Sequence, residues 1–183
     1  MDFQASSIVS RPAAVVLDLL IERLEEIVPF LPNVERIELL ERTSLGDGRL
    51  RIVRRWQGKA GSVARVVQPF LSPALLAWID TAVWTPAAGR VDWSHASCAA
   101  SVAGLYDCSG TNFVEPDPDA PAGRTRLRIG GRLIVRPERL PGVPGFLGRR
   151  IAPQVEAFVV GLLTPNLTSL ADGLQRYFDR PRG

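Results

Sequence analysis

The chain has 183 residues, enough for one domain with a proper hydrophobic core, and 46% of them are apolar. No run approaches the ~18 uninterrupted apolar residues of a transmembrane helix, which excludes integral membrane association by a helix. The net charge of +3 is too small an excess to indicate a nucleic acid or another polyanion as partner.

The positive charge is carried almost wholly by arginine, with Lys59 the only lysine, a bias typical of a GC-rich bacterial genome. The opening residues MDFQASSIVS contain neither a basic nor an apolar signal-peptide region, so we expect a cytoplasmic protein. One histidine and two cysteines are too few for a four-ligand zinc site without carboxylates, and we predict no metal and no cofactor. Cys98 and Cys108 are expected to be reduced thiols, with a hairpin disulfide as the alternative.

The first 33 residues predict a strand followed by a helix. Residues 3–9 alternate like a strand, and Ser10, able to cap, and Pro12, close to the first turn, mark the start of the helix. Pro29 and Pro32 end the helix, with room for one short extra turn. The apolar residues recur at helical spacing at Val16, Leu20, Leu24 and Ile27.

From residue 34 the apolar period changes to two, which is typical of strands. VERIELLER and RLRIVRRWQG form a hairpin around Gly46-Asp47-Gly48, and a further strand is expected over 62–68. Two more pairs follow, ALLAWIDTAVW with RVDWSHASC and VAGLYDCSGTNFVE with RTRLRIGGRLIVRPE. Short turns between consecutive strands predict an antiparallel meander, and Gly130-Gly131 mid-strand indicates a bulge or a close approach of the helix.

Residues 145–180 predict one long amphipathic helix with Pro165 inside it. The apolar stripe rotates by roughly a quarter turn at this proline, which favours a kink over two separate helices. We expect the first half to face a cavity and the second half to fasten the helix to the sheet. The two stripes are Ile151, Val155, Phe158 and Leu162, then Leu167, Leu170, Leu174 and Phe178.

The segments FQASSIVSRPAAVVLDLL, LPNVERIELLE and GDGRLRIVRRW, followed by the terminal amphipathic helix, resemble the START-like superfamily. Bet v 1-type allergens and polyketide cyclase-like proteins share the helix-grip fold of this superfamily. The resemblance implies an α+β fold in which a curved antiparallel sheet of about six to seven strands wraps around a long C-terminal helix. It covers residues 1–183 as a single domain with an apolar cavity between sheet and helix. The superfamily has no universal catalytic set, so no functional residue is carried over.

The tryptophans are the first candidates for a site, because large flat side chains on a concave sheet suit an apolar ligand. Trp78 shares a strand face with Asp80, and Trp93 shares one with His95. The alternative is that these rings belong to an ordinary core. The expected ligand-binding residues are Trp56, Trp78 and Trp93 on strands and Val155, Phe158 and Leu162 on the last helix.

A polar set lies on the same predicted faces. His95 and Asp80 are weak candidates for an acid–base pair, and Arg54 for an anchor of a ligand oxyanion or carboxylate. The alternative places all three in solvent or satisfying one another. The arginine rows, such as Arg124, Arg126 and Arg128, alternate with apolar residues and are interpreted as the solvated convex face rather than a nucleic-acid surface.

The sequence therefore predicts a protein that binds a small hydrophobic molecule, such as a lipid, a polyketide or an aromatic metabolite. A cyclase, aromatase or dehydratase acting in the same cavity is the alternative, and we favour binding over catalysis. A third possibility is a filled domain that acts through protein contacts as a homodimer. His95 and Asp80 facing each other inside the cavity would favour the enzyme or a binder of polar ligands.

Overall fold

The computed structural model describes residues 1–59, 76–100, 103–104, 106–136 and 169–181. The strands are β1 (Asp2–Val9), β2 (Val34–Gly46), β3 (Arg49–Gly58), β4 (Ala77–Thr85), β5 (Arg90–Ser97), β6 (Tyr106–Pro116) and β7 (Thr125–Val135). The helices are α1 (Ala13–Glu22), 3-10 helices at Leu24–Phe30 and Pro86–Ala88, and α2, described over 169–179. The predicted strand at 62–68 and the helix residues before 169, with Pro165 among them, lie outside the described residues. Within the described part of the chain, no helix is long and apolar enough to cross a membrane.

The strands form one antiparallel sheet in the order β1-β7-β6-β5-β4-β3-β2, which confirms the predicted meander. The opening strand closes the other end of the sheet by pairing with β7 over its whole length. The Met1 amino group donates to the Leu133 carbonyl at 2.6 Å, and the Leu133 N–H donates to the Met1 carbonyl at 2.8 Å. Among the described strands, β1 and β2 are therefore the edges of the sheet.

The first helical segment is shorter than predicted and changes type within its length. α1 begins after Pro12 without a side-chain cap, so the expected cap at Ser10 is wrong. Arg23, with φ −142° and ψ 30°, ends α1, and the chain continues as a 3-10 helix that contains Pro29. Pro29 has no N–H to donate, so the helix lacks one backbone hydrogen bond at this position. The predicted apolar stripe is buried throughout, at Val16, Leu20, Leu24 and Ile27.

The core lies between one face of the sheet, here called the inner face, and the helices. Ile52 of β3, Leu19 of α1 and Leu174 of α2 are fully buried in a single apolar cluster. Trp84, Val91 and Leu127 extend the cluster across the sheet. Burial of each such side chain contributes about 1.5–3 kcal/mol to the free energy of unfolding.

The described part of α2 buries Ala171, Leu174 and Tyr177, whereas Leu170 and Phe178 of the predicted stripe are only partly buried. The buried face is therefore turned slightly from the predicted one. A Cβ added to Gly173 would lie 2.8 Å from a Leu31 methyl, so this glycine lets α2 approach the end of the 3-10 helix closely.

Polar contacts join the end of α2 to the first part of the chain. The Arg11 guanidinium donates to the Phe178 carbonyl at 3.0 Å and pairs with Asp179 at 3.2 Å. The Tyr177 hydroxyl donates to Glu26 of the 3-10 helix. The second half of the last helix is thus fastened, as predicted, but to the β1–α1 turn and the 3-10 helix in addition to the inner face.

Two glycines on the inner face make room for an indole. A Cβ added to Gly131 would lie 2.7 Å from Phe3 Cζ and 2.9 Å from Trp93 Cζ2, and one added to Gly110 would lie 2.0 Å from the Gly130 carbonyl oxygen. The register with both neighbouring strands runs through Gly131 without a shift. Among the described residues, Trp93 and Phe3 make the close approach predicted at Gly130-Gly131, and the strand has no bulge there.

The arginines of β7 lie on the outer face, where carboxylates pair with them. Arg128 contacts Glu115 at 2.8 Å and Arg132 contacts Asp2 at 2.7 Å. Arg126 contacts Asp117 at 3.0 Å. These side chains are solvated on a strand face opposite the core, as the alternation of the sequence predicts.

Asp117 is expected to make the fold sensitive to acid. Its side chain is 1% exposed, lies 2.6 Å from Arg124 Nη2 and accepts a hydrogen bond from Arg126 Nη2. Burial raises the pKa of Asp117, but the Asp119 backbone N–H and both guanidinium groups outweigh it, so the pKa lies below the ordinary 3.8. A carboxyl with a depressed pKa stabilises the fold above its unfolded pKa, and this contribution is lost as pH falls through the folded pKa.

We therefore expect Asp117→Asn to be less stable than the wild-type chain at about pH 7, with a difference that shrinks below about pH 4. Denaturant unfolding at both ends of this range measures the effect. Asp2→Asn is the matched control, because its ion pair with Arg132 is about two-thirds exposed on both sides and such pairs contribute little. An equal loss in the two variants would contradict the expectation.

Candidate functional site

The strand register brings the three predicted polar candidates into one row across the inner face. Arg54 of β3 lies opposite Asp80 of β4, and Asp80 lies opposite His95 of β5. The row continues to Cys108 of β6. Directly opposed residues have Cβ atoms about 4.5–5.5 Å apart, so neighbouring members of the row are within reach of each other. Arg54 is 2% exposed, which places this face inward.

Arg54 uses its guanidinium to hold the helices against the sheet. Its Nε donates to Glu25 Oε1 at 3.0 Å and its Nη2 donates to the Ile21 carbonyl at 2.7 Å. The partner is therefore Glu25 rather than Asp80. The sequence did not indicate this pairing, because Glu25 lies on the non-apolar side of the predicted helix.

Asp80 and His95 face each other. His95 Nε2 lies 3.1 Å from Asp80 Oδ1, with 22% and 13% of the two side chains exposed. The imidazole also lies 4.6 Å from the Trp93 ring and 6.1 Å from the Trp78 ring. The predicted acid–base candidates thus form a contact pair in a partly buried aromatic environment.

Trp56 and Trp78 form the aromatic part of the site. They are opposed on β3 and β4, and their rings stack with centroids 5.7 Å apart and planes inclined by 19°. Both rings are half-buried, and both indole nitrogens are buried without an acceptor among the described residues. Buried indole N–H groups usually have a partner, so these two donors need an explanation.

Trp93 lies deeper than the other two predicted ligand-binding tryptophans. It is 8% exposed, its ring stacks on Phe3, and its N–H donates to Asn112 Oδ1 at 2.8 Å. Its edge still reaches His95. Trp93 therefore forms the floor below the polar pair, and Trp56 and Trp78 are the more accessible rings. Val155, Phe158 and Leu162 lie outside the described residues.

Two residues of this face were not singled out from the sequence as site residues. Cys108 continues the polar row, and Tyr106 lies two positions along the same strand on the same face. Burial raises the pKa of the Cys108 thiol to about 11 and that of the Tyr106 hydroxyl to about 12, so both groups are neutral at neutral pH. Both cysteines are free thiols. Even spacing on β6 puts Tyr106 and Cys108 on one face, but only the register with β5 shows which face.

An open depression of about 700 Å³ lies elsewhere, among β1, β6 and β7 around Gly130. It shares no residue with the row from Arg54 to Cys108 or with the paired indoles. On the inner face, the structure brings together two stacked indoles and a contact pair of imidazole and carboxylate.

No protein-family model matches the chain, and a comparison with curated proteins finds no relative. Solved structures do match. TTHA0849 of Thermus thermophilus is 21% identical, with a TM-score of 0.62 over 97% of this chain and 96% of that one. A truncated norcoclaurine synthase of Thalictrum flavum is 12% identical, with a TM-score of 0.60 over 100% of this chain and 95% of that one.

The di-domain ARO/CYC protein BexL of the BE-7585A biosynthetic pathway is 18% identical, with a TM-score of 0.51 over 92% of this chain. The match covers 46% of BexL, so the chain spans about half the length of that protein. At 21% identity or less, these likenesses show the fold alone. The chain has the helix-grip fold of START-like proteins, as its sequence predicted.

Proposed function

We propose that this protein binds a small aromatic or otherwise hydrophobic molecule on the inner face of its sheet, beside Trp56 and Trp78. The observation that carries the proposal is the pair of stacked, half-buried indoles whose buried N–H groups have no acceptor in the described part of the chain. Flat apolar surface with a few unpaired polar groups is the usual lining of a small-molecule site.

Solved structures of the same fold support the proposal. One structure of norcoclaurine synthase, with a TM-score of 0.58 to this chain, is a complex with dopamine and hydroxybenzaldehyde. BexL comes from a biosynthetic pathway. The fold thus accommodates small aromatic molecules in at least one protein, and the paired indoles here offer the matching surface.

Native mass spectrometry of the purified protein, followed by solvent extraction, tests the proposal. We expect a bound molecule, or a rise of the melting temperature with members of a lipid, polyketide and aromatic panel. Trp78→Phe should weaken this binding severalfold, because the stack with Trp56 is reduced. Trp84→Phe is the matched control, since Trp84 lies on the same strand but is 6% exposed within the core. A wild-type protein that carries nothing and shows no shift with any compound would refute the proposal.

Catalysis of a cyclase, aromatase or dehydratase type in the same place is the second candidate, and the contact between His95 and Asp80 favours it. A neutral imidazole that donates its Nε2 proton to an ionised Asp80 keeps a lone pair on Nδ1. That nitrogen can accept a proton from a bound molecule, and Asp80 stabilises the resulting imidazolium.

The tautomer of His95 is directly measurable, because it is the single histidine of the chain. When the imidazole is uncharged, we expect its ¹⁵N NMR spectrum to show the tautomer that carries the proton on Nε2. Asp80→Asn should give a mixture of the two tautomers, since an amide can either donate or accept. A wild-type protein in the Nδ1–H form would contradict the proposed orientation of the base.

A further inference from the structure

We infer that the site at Trp56 and Trp78 selects uncharged aromatic molecules that carry a carbonyl oxygen, in preference to the parent hydrocarbons and to aromatic carboxylates. This inference rests on the proposed function and specifies its ligand. Three properties of the described residues lead to it: the unpaired donors, the charges around them and the shape of the stacked rings.

The first property is the pair of unpaired donors. Of the two indoles packed in the core, Trp93 has Asn112 as acceptor, whereas Trp84 has none among the described residues. The structure likewise provides no acceptor, among the described residues, for the Nε1–H groups of Trp56 and Trp78. A buried donor without a partner is costly, so a molecule that brings an acceptor oxygen gains more here than one that does not. A hydrocarbon would leave both donors unpaired.

The second property is the charge on the inner face. The carboxylate of Asp80 lies in the polar row, in contact with His95. The nearest cation of that row, Arg54, is already bound by Glu25 and the Ile21 carbonyl. A ligand carboxylate would therefore lie near the negative charge of Asp80, and the described part of the row has no free positive charge to pair with it. The cost of removing the carboxylate from water would then not be offset by an ion pair. A neutral carbonyl accepts hydrogen bonds without this cost.

The third property is shape. The indole planes of Trp56 and Trp78 are inclined by only 19°, and the imidazole of His95 lies 6.1 Å from the Trp78 ring, with its plane tilted by 50°. A flat ring system can extend this stack, because aromatic rings prefer offset stacking at centroid distances of about 4.5–7 Å. A flexible acyl chain gains less from two parallel ring faces.

Three rigid tricyclic probes separate these properties: fluorene, 9-fluorenone and fluorene-9-carboxylate. They share one carbon skeleton and differ in the group at a single carbon atom. Isothermal titration calorimetry measures the three affinities for the full chain. We expect 9-fluorenone to bind about tenfold more tightly than fluorene, and more tightly than the carboxylate.

The variants assign the preference to the indole donors. In Trp56→Phe and Trp78→Phe the ratio of the 9-fluorenone to the fluorene affinity should fall toward one, whereas Trp84→Phe should keep the wild-type ratio. Trp84 also has an indole nitrogen without an acceptor among the described residues, but it lies in the core. The control therefore removes an unpaired donor without touching the site.

Equal wild-type affinities for fluorene and 9-fluorenone, or the tightest binding by the carboxylate, would overturn the inference while the proposed function stands. Binding of none of the three probes counts against both. A preference that survives unchanged in both site variants would also overturn it. Should either variant fail to fold, the four indole N–H signals of the wild-type ¹H–¹⁵N spectrum provide a second measurement. We expect 9-fluorenone, but not fluorene, to move two of these signals downfield. The inference is overturned if the two compounds affect the signals equally.

Discussion

Replacing Gly110 with alanine is expected to lower the free energy of unfolding by about 3 kcal/mol and the melting temperature by about 6–12 °C. The new Cβ would lie 2.0 Å from the Gly130 carbonyl oxygen, 2.6 Å from the Gly131 Cα and 2.7 Å from Trp93 Cζ2. Two of these three atoms belong to the backbone of β7, so a change of side-chain rotamer cannot relieve the clash. The strands would have to separate locally, and Trp93 would be displaced.

Gly130→Ala is the matched control for this experiment. Gly130 lies on the neighbouring strand, yet its Cβ would meet nothing closer than 3.5 Å, where the Thr111 carbonyl oxygen lies. We expect a change within about 0.5 kcal/mol, as for surface substitutions in general. Thermal and denaturant unfolding of the two variants measure the difference. Similar losses in both would mean that the cost comes from the glycine backbone and not from contact with Trp93.

Replacing Arg54 with alanine is expected to cost about 3 kcal/mol. The change removes the hydrogen bonds to Glu25 and to the Ile21 carbonyl. It also leaves a cavity, because the Arg54 side chain is only 2% exposed. Glu25 itself is 33% exposed and can regain water, so the loss falls at the lower end of that for a broken buried ion pair.

Glu25→Gln separates the ion pair from the packing. The glutamine keeps an acceptor for Arg54 Nε and removes only the charge, so we expect a loss of about 1 kcal/mol, clearly smaller than for Arg54→Ala. Urea unfolding of both variants gives the two free energies. An Arg54→Ala effect no larger than that of Glu25→Gln would show that Arg54 does not fasten α1 to the sheet.

Much of the fold is readable from the sequence because its information is local. The alternation around Trp56 and the glycine-rich turn at Gly46-Asp47-Gly48 predict the β2–β3 hairpin, and the same reasoning applies to the two later pairs. The pairing of β1 with β7 is different, since nothing within residues 2–9 identifies a partner more than a hundred residues away. The end of α1 at Arg23 also escaped prediction, because the apolar stripe continues through it without interruption.

For the candidate site, the sequence predicts which side chains share a strand face, but not which residues of other elements they contact. Even spacing places Asp80 with Trp78 and His95 with Trp93, and the structure confirms both faces. Contact between His95 and Asp80 depends on the register of two strands, which a single sequence does not determine to one residue. The contact of Arg54 with Glu25 is harder still to predict, because Glu25 belongs to another element and its position depends on how the helix packs on the sheet.

The pairing of β1 with β7 also bears on the order in which the molecule can assemble. During synthesis, residues 2–9 are made before every other strand of the sheet, yet their hydrogen-bonding partner at 125–132 is made after all the others. From β2 to β7, each strand pairs with the next strand in the chain, so these pairings can form one after another. β1 can pair only after β7 has been made, and a pairing at such long sequence separation is slow to form. Until then the inner face lacks Phe3, and the edge of β7 is open to other strands. The nascent chain is therefore most exposed to aggregation in the interval before its earliest strand takes its place.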